Sequence, residues 1–255
     1  MTGLRIGLGG FNGRMGTAIR NAASREADVE VVCGVVRPGT VQTGELVAVT
    51  DDPATLAEHP DVFIDVSTPT AVRGSVESMT ARNVPFISGV TGLGDDERDA
   101  LDRAAATIPV LEAANFSLGV ALVAHVLILV AQALPAADVE IVETHHRRKK
   151  DAPSGTANVF AEVIARARRT SPELQYGRFG AAERRQGEIG MHSLRGGGNA
   201  GEHHVHFLLD GEEIVIEHRA LSRDAFAQGA LQAARWLVEQ PPGRYSMDDV
   251  ARSLI

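Results

Sequence analysis

Two periods of hydrophobic patterning run through this chain. Leu4 to Gly9 alternates as a strand does, a glycine-rich turn follows, and the spacing from Arg14 to Ser24 is helical. Val29 to Val36, Asp61 to Ser67, Pro85 to Val90 and Pro109 to Ala113 are short apolar runs, with helical spacing over Thr70 to Arg82 and Asp95 to Ala106. Short buried strands separated by helices predict a parallel sheet with right-handed crossovers, a Rossmann-like layout that binds dinucleotides.

The rhythm then changes. Leu118 to Leu134 is apolar almost all round. A membrane span needs about 20 apolar residues; this run is shorter and contains His125 and Gln132, which predicts a helix buried in the protein interior. Asp138 to His146, Ile189 to Arg195, Glu202 to Leu209 and Glu213 to Ala220 read as strands, interrupted by one helix, Thr156 to Arg169. That pattern predicts an α+β domain with an open mixed sheet, mostly antiparallel. Gly196 to Gly201 is a flexible turn, at most a mobile flap. The last helix, Asp224 to Glu239, is expected to return to the first domain. The expected organisation is therefore an α/β dinucleotide-binding domain from residues 1–116 and 222–255, and a second domain over 117–221.

Composition narrows the function classes. The chain has 255 residues, 44% of them hydrophobic, and a net charge of −8. General nucleic-acid binding wants a basic face over much of a domain, so no nucleic-acid partner is expected, and no membrane. Cys33 is the only cysteine, which excludes an internal disulfide, and the first residues carry no signal-peptide pattern. A cytoplasmic location is expected.

The first turn, Gly7-Leu8-Gly9-Gly10-Phe11-Asn12-Gly13-Arg14-Met15-Gly16, departs from the strict dinucleotide fingerprint, because the sixth position is Asn12. Gly10, Gly13 and Gly16 give a looser spacing. Small residues still let backbone approach a pyrophosphate, and the helix that follows offers free N–H groups at its positive end. At the end of the second strand an acidic residue would bind ribose hydroxyls; here Val35 and Val36 precede Arg37, whose guanidinium suits a 2′-phosphate. NADPH is thus expected over NADH. Gly89, Val90 and Thr91, and likewise Ala113, Ala114, Asn115 and Phe116, follow later strands and are placed to flank the nicotinamide.

The run from Glu143 to Ala157 holds two histidines and four consecutive cations before a turn that opens a helix. His145 and His146 end a strand, so their side chains point to opposite faces: one can donate a proton while the other binds substrate. Lys149 follows three residues later. Ser154 fits a helix N-cap, which leaves Gly155 and Thr156 to offer N–H groups to an anion. A small substrate with more than one carboxylate suits this field.

The run His145-His146-Arg147-Arg148-Lys149-Lys150-Asp151-Ala152-Pro153-Ser154-Gly155-Thr156-Ala157 resembles the signature of the 4-hydroxy-tetrahydrodipicolinate reductase (dihydrodipicolinate reductase) family of lysine and diaminopimelate synthesis. The resemblance extends through Gly13 to Gly16, Gly89 to Gly92, Ala113 to Ser117, Gly201-Glu202-His203 and Phe226 to Ala230, in order along the chain. It implies that His145 is the proton donor, Lys149 a second catalytic group and His146 a substrate contact. Gly155 and Thr156 would hold a substrate carboxylate. Gly10, Phe11, Asn12, Gly13, Arg14 and Met15, with Gly89 to Thr91 and Ala113 to Phe116, would hold the cofactor, and Arg37 its 2′-phosphate. It also implies a cyclic dicarboxylate imine as substrate, hydride transfer from a nicotinamide, closure of the two domains, and a homotetramer joined through the second domain's sheet. Two positions depart from the family pattern. The acid often found beside the arginine is Val36, which weighs against NADH, and the usual Gly-Thr-Thr-Gly reads Gly89-Val90-Thr91-Gly92.

Three rival readings have less behind them. His203, His204 and His206 crowd one strand beside Glu202, yet no helical His/Glu pair completes a metal site, so no metal is expected. A semialdehyde dehydrogenase needs a cysteine nucleophile, and Cys33 lies inside the second strand. A non-enzymatic NADPH-binding regulator would leave His145 and Lys149 together without a reason.

Overall fold

The structure is a computed structural model that describes residues 3–40, 47–222 and 224–254. The chain forms two compact units, Met1–Leu118 with Arg223–Ile255, and Gly119–Ser222.

The first unit begins β1 (Leu4–Gly9), α1 (Arg14–Ala23), β2 (Val29–Val35), β3 (Ala48–Thr50), a 3₁₀ turn at Pro53–Thr55, β4 (Val62–Asp65), α2 (Pro69–Ala81), β5 (Phe86–Ser88), α3 (Asp95–Ala105) and β6 (Pro109–Glu112). Local sequence explains several boundaries. Pro69 opens α2, where its missing N–H costs nothing. At α3, Glu97 reaches back to accept from the N–H of Gly94 at 2.8 Å, and Asp95, Asp96 and Glu97 place negative charge on the positive helix end. β4 is buried at all four positions, as a strand covered on both faces must be. Phe63 and Phe86 stack with ring centroids 6.0 Å apart in the core beneath α2 and α3. Burying each such ring contributes about 2–3 kcal/mol.

The second unit holds α4 (Leu118–Ala133), β7 (Asp138–His145), α5 (Gly155–Ala167), β8 (Leu174–Tyr176), β9 (Ile189–Arg195), β10 (Glu202–Leu208) and β11 (Glu213–Arg219). Its sheet runs β11-β10-β7-β9-β8. The sheet is mixed, as the sequence predicts, but only half of its strand pairings are antiparallel rather than most of them. β10 pairs antiparallel with β7 and β11, but β9 pairs parallel with both β7 and β8. The helix α5 carries the chain back so that β9 runs alongside β7. Burial alternates along β7 and β10: Val139, Ile141, Val205 and Phe207 face the core with Phe160, while Glu140, Val142, His204 and His206 face outward.

α4 departs from the fully buried interior helix that its apolarity predicts. Of its residues only Val120, Leu127 and Ala131 are buried, and Leu129 is 66% exposed in the single chain. Apolarity all round says that a helix shuns water; it does not say that its own chain covers every side. Among the described residues no helix is long and apolar enough to cross a membrane.

The chain returns to the first unit with α6 (Asp224–Leu237), β12 (Gly243–Tyr245) and α7 (Met247–Arg252). α6 packs on α1, and Arg235 joins Asp28 and Glu26 at its far end. The completed sheet has seven parallel strands in the order β12-β6-β5-β4-β1-β2-β3. The order reverses between β1 and β4, the crevice where such Rossmann-like sheets take ligands.

Candidate functional site

In the first unit the glycine turn leaves the carboxyl end of β1, beside that crevice. Gly10 has φ +73, and a Cβ there would lie 2.7 Å from the Val66 carbonyl oxygen. A Cβ on Gly16 would meet the Gly10 oxygen at 2.3 Å, so only glycine lets α1 start this close to the turn. Gly13 caps α1 without a side chain, so no side-chain oxygen competes for the N–H groups of its first turn. Asn12, Gly13 and Arg14 are exposed and Met15 half-exposed. Phe11 is the exception: its ring is wholly buried against Gly34, with the Arg20 guanidinium 4.1 Å above it. Only its backbone can face a ligand.

Arg37 follows β2 and is exposed, and its carbonyl accepts from Thr40 Oγ1 at 2.6 Å, which shapes the turn. The loops after β5 and β6 meet. A Cβ on Gly89 would fall 2.4 Å from the Phe116 ring, and one on Gly229 of α6 would fall 1.8 Å from the Phe116 carbonyl oxygen. Asn115 Oδ1 accepts from the Ser117 N–H at 2.9 Å. Thr91 and Ala114 are exposed, whereas the Val90 and Ala113 side chains are buried. Buried Asp65 ends β4 with one carboxylate oxygen on the Ser67 N–H at 2.9 Å and the other without a partner, as is Ser88 Oγ beside it on β5. Parallel strand ends, a close-packed glycine turn, a helix end free of side-chain capping and orphaned polar atoms together fit a dinucleotide. Cys33 is buried inside β2 and its thiol is pushed up to about 11 by burial, which suits no nucleophile.

In the second unit, strand register builds a polar cluster on the inner face of the sheet. His145 lies opposite Arg195, and Glu143 opposite Ser193 on one side and His203 on the other. His145 Nδ1 is 2.6 Å from Glu143 Oε2. The same carboxylate accepts both Arg195 Nη atoms, at 2.8 and 2.6 Å, and the Ser154 N–H at 3.1 Å. Burial would raise the Glu143 carboxyl, but its bonds from Arg195, Ser193 and His145 hold it at about 2. Burial pulls His145 below the ordinary histidine value against the opposing pull of Glu143, with the positive charge of Lys149 and Arg195 adding to the fall. His203 sits edge-on to His145 at 5.2 Å, and burial, with His145 and His218 nearby, lowers it to about 3.

Ser154 caps α5 as its sequence suggests, accepting from the Ala157 N–H at 3.2 Å, and its hydroxyl meets His203 Nε2 at 2.9 Å. Gly155 and Thr156 open that helix, and a Cβ on Gly155 would meet open space. Lys149 pairs with Asp151 at 2.9 Å and is largely covered. His146 lies one residue past the end of β7 rather than within the strand, and its backbone N–H donates to the Asn199 carbonyl at 2.9 Å. With the Gly196 N–H on the His145 carbonyl at 3.0 Å, the glycine turn is tied to the two histidines at both ends. Arg147, Arg148 and Lys150 are exposed.

Glu143, Arg195 and His203 join this cluster without being marked for it by the local sequence pattern. Strand period was the available signal for Glu143, two residues before His145 and on the same face. The other two arrive from β9 and β10 through register. Glu202, His204 and Glu217 also converge, with donor atoms within 4.8 Å, on the outward face. Arg219 already pairs with both carboxylates at 2.9 Å.

Two family models match the chain, described as dihydrodipicolinate reductase N-terminus over residues 4–116 and C-terminus over 119–251. A 4-hydroxy-tetrahydrodipicolinate reductase of Thermomicrobium roseum is 42% identical, with 97% of this chain and 99% of the relative covered. That of Zymomonas mobilis is 44% identical over 97% and 96%. The solved dihydrodipicolinate reductase of Paenisporosarcina sp. TG-14, with dipicolinate bound, superposes with a TM-score of 0.81 at 25% identity, covering 97% of this chain and 99% of its own. The chain belongs to the 4-hydroxy-tetrahydrodipicolinate (dihydrodipicolinate) reductase family.

Proposed function

We propose that this chain reduces 4-hydroxy-tetrahydrodipicolinate to tetrahydrodipicolinate with NADPH, NADH serving less well, and that His145 supplies the proton. The observation that carries this reading is the second unit's cluster. A buried imidazole is fastened by one nitrogen to Glu143, next to a helix whose first residues are Gly155 and Thr156 and beside the charge of Lys149. A bound nicotinamide supplies hydride. The protein's own residues do the rest.

Gly155 and Thr156 at the α5 N-terminus hold one substrate carboxylate, where N–H groups and helix dipole favour an anion. His146 contacts the substrate. His145 Nε2 gives its proton to the ring as negative charge develops there, the N–H bonding pair remaining on nitrogen. Lys149 lowers the cost of that developing charge. Burial, with the positive charge of Lys149 and Arg195, lowers the proton affinity of His145, and the two substrate carboxylates bring negative charge that raises it.

The first unit binds the cofactor through the Gly10–Met15 turn, Gly89–Thr91 and Ala113–Phe116, with Arg37 on the 2′-phosphate and Val36 at the position where an acid would favour NADH. Residues 1–116 and 222–255 serve as the cofactor domain, and 117–221 as the substrate and oligomerisation domain. Leu194, Leu208 and Val215 expose apolar surface on the outward face of the second sheet, which supports a homotetramer joined there; light scattering would give a mass of four chains.

The test is NADPH oxidation with substrate generated in place from pyruvate and aspartate semialdehyde by the preceding synthase, NADH and His145→Gln being run alongside. Turnover that collapses in the variant is the expected result. No turnover despite NADPH binding overturns the substrate assignment, and a fully active His145→Gln overturns the donor.

A further inference from the structure

One carboxylate ties together three segments that the chemistry uses. Glu143 is wholly buried on β7. Its Oε2 takes His145 Nδ1 and one Arg195 nitrogen, and its Oε1 takes the other Arg195 nitrogen and the Ser154 N–H. Arg195 continues to the Asp151 carbonyl at 2.8 Å. The end of β7, the end of β9 and the turn that opens α5 thus meet on a single group. A buried carboxylate is costly without partners, and the bidentate fork with two further donors satisfies it. An ionised carboxylate has no proton to offer, so the hydrogen between Glu143 and His145 belongs to Nδ1. Nε2 is then the nitrogen left for chemistry. It faces Gly201, whose φ is +150 and where an added Cβ would stand 3.0 Å from Nε2.

Resting on the reading of His145 as proton donor, we propose that Glu143, held by the Arg195 fork, is the positioning residue of the proton transfer: it fixes His145 as the Nδ1–H tautomer, makes Nε2 the atom from which the proton leaves, and stabilises the charged imidazole. The groups that bear on His145 are Glu143 on its own strand, Arg195 on β9, His203 on β10 with His218 behind it on β11, and Lys149, itself paired with Asp151, in the turn before α5. Glu143 is the negative one in direct contact. Replacing it by an uncharged isostere leaves the imidazolium with no anion in direct contact and with the Arg195 and Lys149 charges still near.

The experiment compares wild type, Glu143→Gln, Glu143→Asp and Arg195→Lys by ¹⁵N NMR of the histidine ring, with His145→Gln to assign the signal, and by the pH profile of kcat. Wild type should show His145 as the Nδ1–H tautomer. In Glu143→Gln that preference should be lost, kcat should fall about 10²-fold or more, within the range a general acid contributes, and the basic limb should move to lower pH. The NADPH KM should stay within twofold, and Glu143→Asp should recover part of the rate. A merely structural role would lower stability without moving tautomer or pH limb, and that result overturns the proposal. Should Glu143→Gln fail to fold, Arg195→Lys decides the matter: a shifted limb supports the proposal and an unchanged one overturns it. If His145→Gln keeps full turnover, the donor reading fails by itself, and the NMR signal still decides whether Glu143 sets the tautomer.

Discussion

The Ser154 hydroxyl stands between two partners, 2.9 Å from His203 Nε2 and 3.2 Å from the Ala157 N–H. One small side chain thus caps α5 and pairs one nitrogen of a buried imidazole on β10. Ser154→Ala should cost about 1 kcal/mol for the cap and about 1–3 kcal/mol for the His203 nitrogen left unpaired. Thermal melting should fall by roughly 5–10 °C, and the substrate KM should rise while the NADPH KM holds. A melt within one degree of wild type would show that the hydroxyl carries neither load.

His203 makes stability depend on acid. Its folded value, about 3, lies below the unfolded value of 6.5. The unfolded chain therefore binds a proton that the folded chain refuses, so stability is full above pH 6.5 and is lost as pH falls toward 3. Between pH 7 and pH 5 this one group should remove about 2 kcal/mol. Denaturant midpoints at the two pH values should differ less in His203→Gln than in wild type. Equal differences in the two proteins would refute the assignment.

Gly89 and Phe116 join two loops of the first unit by contact alone. Gly89→Ala forces the ring aside at a cost of about 1–3 kcal/mol, and the NADPH KM should rise about tenfold, equivalent to about 1.4 kcal/mol. Pairing it with Phe116→Leu should return part of that affinity. A single variant with wild-type cofactor binding would detach these loops from the cofactor.

Arg37→Ala tests the choice of cofactor. Bonds to a charged group contribute about 1.5–3 kcal/mol, so the NADPH KM should rise roughly 10- to 100-fold with that for NADH unchanged. An unaltered NADPH KM leaves Arg37 as a solvated surface arginine.

Much of the first unit was legible because parallel strands covered on both faces appear as short apolar runs, and because the Gly10–Gly16 turn marks where β1 gives way to α1. β3, β8 and β12 have three residues each, too few to display a period, and α7 has six. The half-exposed state of α4 escaped because patterning reports what a helix avoids and not what lies against it. At the site, His145, Lys149 and Ser154 were visible as a local run. Arg195 and His203 were not, since they reach Glu143 only through the register of β9 and β10, which depends on the whole sheet.

The turn from Gly196 to Gly201 also says how this enzyme's sequence is free to drift. Added side chains at 196 and 198 would enter open space, and position 197 asks only for a residue that accepts φ +54. At 201 a side chain would be strained and would crowd His145 Nε2. Four glycines that look interchangeable in the sequence are thus unequal under mutation. A library randomised over this turn should return varied residues at the first three and glycine at the last.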